Sequence, residues 1–176
     1  MWNITTYVLF FPLFLAALPI LAIIAAVHDL TTMKIPNWIS IGLVVGFFPA
    51  ALVLELPLSV VGVSAGMALA ALFIGAGMFA LNWIGGGDAK LLAAATLWMG
   101  LSGTLHFLLY TGLAGGAFCM VLLTARSRLP ILAQTGPGWM MRLMQPKGDI
   151  PYGVAIAIGA LLAYPESPLM AAFIAG

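Results

Sequence analysis

The sequence predicts an all-α, polytopic membrane protein, a bundle of about six transmembrane helices forming one domain over residues 1–176. Three observations predict it. Hydrophobic residues make up 64% of the chain and charged ones only 6%, against about a quarter charged in soluble domains, so there is too little charge to clothe a water-exposed surface. Apolar runs close to the roughly 20 residues needed to cross a bilayer recur along the chain, separated by short polar breaks. The basic residues fall on alternate breaks. The net charge of +1 offers no basic field for nucleic acid.

The first apolar run, 7–27, follows "MWNITT", which lacks the positive start of a cleavable signal. It is therefore expected to remain as a span, bent by Pro12 and Pro19. Further spans are placed at 38–54, 58–84, 89–101, 104–125 and 150–164, with a weaker stretch, "SPLMAAFIAG", at the end. Span 58–84 carries small residues four apart, such as Gly62 and Gly66, which let helices approach closely. That span is expected to lie inside the bundle. Span 89–101 is short for a crossing. As a re-entrant hairpin, however, it would send Arg126, Arg128, Arg142 and Lys147 to the face opposite Lys34 and Lys90. A full crossing puts all six basic residues on one face, which the positive-inside rule makes cytoplasmic. Glu55, Glu166 and the amino terminus then lie on the other.

Two aspartates share that cytoplasmic face. Asp29 closes span one in "VHDLTTMKIPNW", and Asp88 stands between spans three and four in "WIGGGDAKLL". An even number of crossings separates them, so topology returns both to the same side. Each has a purely structural reading: Asp88 as an N-cap for a helix starting at Ala89, Asp29 as a marker of a helix leaving the bilayer. Acids at a membrane boundary are costly, however, and usually face a cavity or serve a function.

Other chemistries lack their residues. Ser40, Ser59, Ser64, Ser102, Ser127 and Ser167 have no GxSxG context. His28 and His106 are mapped to opposite faces, and Cys119 is a lone cysteine in an apolar run, read as a core or lipid-facing residue. No metal and no cofactor are expected. Two carboxyls held together suffice for peptide hydrolysis, because they share a proton and can act as base and acid in turn. Gly85, Gly86 and Gly87 give a bare, adaptable backbone beside the acid, leaving room for an extended peptide. Lys90 is read first as an anchor to lipid phosphate, with an effect on a neighbouring aspartate as the second reading.

With these residues in view, the chain resembles the bacterial type IV prepilin leader peptidases, membrane aspartic peptidases with a G-x-G-D motif. The motif is Gly85-Gly86-Gly87-Asp88; Asp29 is followed six residues later by Ile-Pro-Asn, and "IPYGVAIAIGA" (150–160) resembles a Pro-Tyr/Phe-Gly block at the start of the last helix. The resemblance implies Asp29 and Asp88 as the catalytic pair. It implies a cavity-shaping role for Pro36, Asn37, Pro151, Tyr152 and Gly153, with Pro36 ending one element and Asn37 capping the next. Longer members carry an insertion with four cysteines and also methylate the new amino terminus. Neither insertion nor cysteines are present here, so cleavage alone is expected, as in the tight-adherence (Flp-type) pilus subgroup. The implied partner is a small prepilin, a basic leader followed by one apolar helix, cut in the inner membrane at its cytoplasmic face. Three alternatives stay open: a preflagellin- or presenilin-like protease, although His28 rather than tyrosine precedes Asp29; a small transporter or channel using the two aspartates as ion sites; and a structural subunit with both acids as caps.

Overall fold

In a computed structural model of the chain, residues 4–129, 131, 136–146 and 148–175 are described, with side chains from residue 14 onward. Lys147, Gln134 and the side chain of Pro12 lie outside them. The order is α1 (Ile4–Thr32), α2 (Asn37–Val53), α3 (Leu58–Ala80), α4 (Gly86–Arg128), α5 (Gly138–Leu143), α6 (Tyr152–Ala163), a 3-10 turn (Tyr164–Glu166) and α7 (Pro168–Ala175). Four stretches are long and apolar enough to cross a membrane: Phe14–Thr32, Leu58–Ala80, Gly86–Arg128 and Tyr152–Ala175, with Asn37–Val53 a shorter apolar helix. The fold is a helical membrane bundle.

Proline and left-handed residues punctuate it. α2, α3, α5 and α6 each start directly after a proline, Pro36, Pro57, Pro137 and Pro151, where the missing N–H costs no helical bond. α2 and α3 end with Glu55 at φ 50° and Asn82 at φ 58°. The following amides turn back to helix carbonyls, Leu56 N to Ala51 O at 2.9 Å and Trp83 N to Met78 O at 2.9 Å, closing ends that would otherwise leave carbonyls bare.

α4 contains the two predicted spans 89–101 and 104–125 joined at Gly100, whose φ of 56° and ψ of −160° break the helix. Only glycine fits here. A Cβ would meet the Pro168 side chain at 2.7 Å and Ser64 Oγ at 2.9 Å. Hydroxyls answer the polar groups at the bend: Thr104 donates to the Gly100 carbonyl, and Ser102 Oγ to Glu166 O at 2.9 Å, as a break inside a membrane requires. The first leg of α4 runs along α3, with Gly75 against Ala89 and Ser64 against Gly100. The second returns along α6, with Thr111 against Gly159 and Gly115 against Tyr152 and Ala155. The short segment is therefore a full leg of the bundle and not a re-entrant hairpin.

The centre is aromatic. Trp98, Phe47 and Phe107 are fully buried. Trp98 Nε1 donates to Leu43 O at 2.9 Å, tying α4 to α2, and Tyr164 Oη donates to Leu15 O at 2.9 Å. The expectation for α3 fails. Only Ser64 and Gly75 are buried there, and among the described residues nothing lies within 4 Å of a Cβ placed on Gly62 or Gly66. Small residues permit close approach, but in lipid no apolar collapse forces it. The approach occurs instead at Gly75, where a Cβ would lie 3.0 Å from Ala89 Cβ.

Candidate active site

Asp29 lies in the last turn of α1 and is buried. Its Oδ2 accepts the backbone N–H of Gly153, at the start of α6, at 2.7 Å. Space there is minimal. A Cβ on Gly153 would meet Asp29 Oδ2 at 2.8 Å and Ile35 Cδ1 at 2.7 Å, so only glycine lets the α6 backbone reach the carboxylate.

Asp88 is the third residue of α4, which starts at Gly86 and not at Ala89. It is therefore not the N-cap. Its Oδ2 reaches back to accept the Gly85 N–H at 3.2 Å, the carboxylate half of a capping box. Its Oδ1 is buried and has no hydrogen-bond partner among the described residues. That is costly for a polar atom. Each acid is thus held through one oxygen by a glycine amide.

Between them sits Ile35, in the extended link between α1 and α2. A Cβ on Gly87 would lie 3.1 Å from Ile35 Cβ, while Ile35 Cδ1 crowds Gly153. Ile35 thus spaces the glycine beside Asp88 from the glycine that grips Asp29. It belongs to the Ile-Pro-Asn run, but nothing in its own chemistry marks it as a spacer.

The remaining sequence-predicted residues lie around this centre with amended roles. Pro36 precedes α2, and among the described residues no side chain caps that helix. Asn37 Oδ1 instead accepts Lys90 Nζ at 3.0 Å. Lys90 therefore ties the start of α4 to the start of α2, where the sequence favoured a lipid anchor. Gly86 faces the Phe79 ring. Pro151 is buried and precedes α6. Tyr152 is 40% exposed, its hydroxyl 3.3 Å from where a Cβ on Gly115 would lie. Two arginines read from sequence only as topological charges also reach this end. Arg126 donates to three carbonyls of the connector, and Arg142 Nη2 to Thr31 O at 2.9 Å, beside Asp29. Among the described residues no three His, Cys, Asp or Glu side chains gather as a metal site would need.

A family model, that of the type IV leader peptidase family, matches residues 16–120, a stretch holding both aspartates. Comparison with curated proteins and with solved structures gave no match.

Proposed function

The chain belongs to the type IV leader peptidase family, and on that premise we propose that it removes the basic leader of small, Flp-type prepilins, with Asp29 and Asp88 as the catalytic pair. The family indicates a membrane protease of aspartic type; the substrate, the catalytic residues and the face of action are the reading advanced here. One observation carries it. Two acids far apart in sequence come to the same end of the bundle, each held by a glycine amide, with Ile35 packed against both Gly87 and Gly153.

Two carboxyls so placed hold one proton between them. The ionised member takes a proton from a water molecule whose oxygen bonds to the scissile carbonyl carbon. The protonated member gives its proton to the carbonyl oxygen, producing a tetrahedral diol. Collapse of the diol breaks the C–N bond: the carboxyl that gained a proton passes it to the leaving amine, and the other recovers one from the diol. Asp88 Oδ1, buried without a partner among the described residues, is suited to such an exchange. The Gly153 and Gly85 amides keep the outer oxygens in place.

The site is assigned to the cytoplasmic side of the inner membrane, since Lys34, Lys90, Arg126, Arg128 and Arg142 belong to the same end of the bundle and positive charge marks the inner face. A substrate with its basic leader in the cytoplasm and its helix in the bilayer presents the junction at that depth. Cleavage is proposed without methylation. The experiment is expression of a Flp-type prepilin with the wild type, Asp29→Asn or Asp88→Asn, followed by a gel and the mass of the pilin amino terminus. Unprocessed pilin is expected with either variant, and an unmethylated mature terminus with the wild type. Normal mature pilin with either variant would refute the pair.

A further inference from the structure

Arg126 lies near the end of α4, outside the residues that match the family model. Its charge alone would serve topology, and for that any cation would do. Its bonds are more particular. Nε donates to Leu143 O at 2.9 Å, Nη1 to Gly148 O at 2.9 Å and Nη2 to Asp149 O at 2.9 Å. A planar guanidinium thus bridges both ends of the turn between α5 and α6, which a single ammonium cannot reproduce.

That turn is the approach to the site. Leu143 and Met144 pack with Leu122 of α4 and with Leu30 and Met33, on either side of the end of α1. Arg142 fastens the same turn to Thr31 O, two residues beyond Asp29. Two residues after Asp149 comes the buried Pro151, and two further on the Gly153 amide that donates to Asp29 Oδ2 at 2.7 Å. Between them Ile150 packs against the Leu122, Leu143 and Met144 cluster and Pro151 is buried, so a shift at Asp149 is carried to Gly153.

We infer that Arg126 is a positioning residue for Asp29: its guanidinium fixes the segment that delivers the Gly153 amide to the carboxylate. The inference rests on the reading of Asp29 as catalytic. A purely topological role requires only positive charge, and Arg126→Lys keeps it. The two roles therefore part on one conservative substitution.

The test uses the full chain in detergent, with a synthetic peptide comprising the leader and apolar helix of a Flp-type prepilin. Arg126→Lys is expected to lower kcat about tenfold or more, since displacing a catalytic group by about 1 Å can cost a hundredfold, and to leave KM within about twofold. Arg128→Lys is the matched control and is expected to leave both unchanged. Hydrogen exchange is expected to quicken in peptides covering 148–156 of the Arg126→Lys protein while α2 stays protected. Wild-type kcat in Arg126→Lys, or unaltered exchange over 148–156, overturns the inference. Should Arg126→Lys not fold, Gly148→Ala decides. It keeps every charge and sets a methyl 3.1 Å from Arg142 O and 3.2 Å from Gln145 Cβ, crowding the turn whose carbonyls Arg126 binds. A several-fold fall in kcat is expected, and a wild-type value overturns the inference. Asp29→Asn is run alongside: cleavage by it refutes the catalytic reading, while the exchange data still report whether Arg126 holds Gly153.

Discussion

Gly75 and Ala89 meet almost backbone to backbone: a methyl placed on Gly75 would lie 3.0 Å from the Cβ and 3.3 Å from the Cα of Ala89. Here α3 packs tightly on the leg that carries Asp88. Gly75→Val is expected to cost about 1–3 kcal/mol, the usual range for overpacking a tight contact, read as a lowered midpoint of thermal unfolding in detergent. Gly66→Val, on the same helix but facing open space, is expected to stay within about 0.5 kcal/mol of wild type. Equal losses at both positions would show that α3 packs through its other face as well.

Gly153→Ala should separate folding from activity. The added methyl would collide with Asp29 Oδ2 and with Ile35 Cδ1, so the carboxylate must leave the amide that holds it. Prepilin cleavage is expected to fall about a hundredfold, the scale of a roughly 1 Å misplacement, while the amount of protein in the membrane is unchanged. Wild-type processing by the variant would mean that the Gly153 amide does not orient the acid.

Asp88 has two assignments that a pair of substitutions distinguishes. Its bond to the Gly85 amide is structural, and asparagine can accept the same N–H. Asp88→Asn is expected to unfold near the wild-type midpoint yet to leave prepilin uncut. Asp88→Ala is expected to be equally inactive and less stable by about 1 kcal/mol, the typical worth of a lost helix cap. If Asp88→Asn still cleaves, the residue is only a cap.

The legible parts of this fold were those governed by chain direction. Counting crossings from Asp29 to Asp88 placed both acids at one end, because alternation depends only on how many apolar runs intervene. A break was legible as the gap at 102–103 between spans 89–101 and 104–125, though not its place at Gly100, inside the first of them, nor that one helix is broken at a single residue. Helix partners were not legible. Gly62, Gly66 and Gly75 look alike in sequence, and only Gly75 has a neighbour, since lipid satisfies an apolar face as well as protein does. Nor could sequence show that Asn37 accepts from Lys90 in place of capping α2, or that Arg126 binds carbonyls. Charge is visible in a sequence; the geometry that uses it is set by contacts between distant segments.

Both acids are gripped by main-chain nitrogen, at positions 85 and 153. Ordinary mutation therefore cannot strip either donor away: proline alone lacks the hydrogen, and every other replacement interferes through bulk. Inactivating changes at these two sites should accordingly rank by the size of the intruding group and not by its polarity. A gene for this protein is thus guarded there against chemistry and exposed to volume.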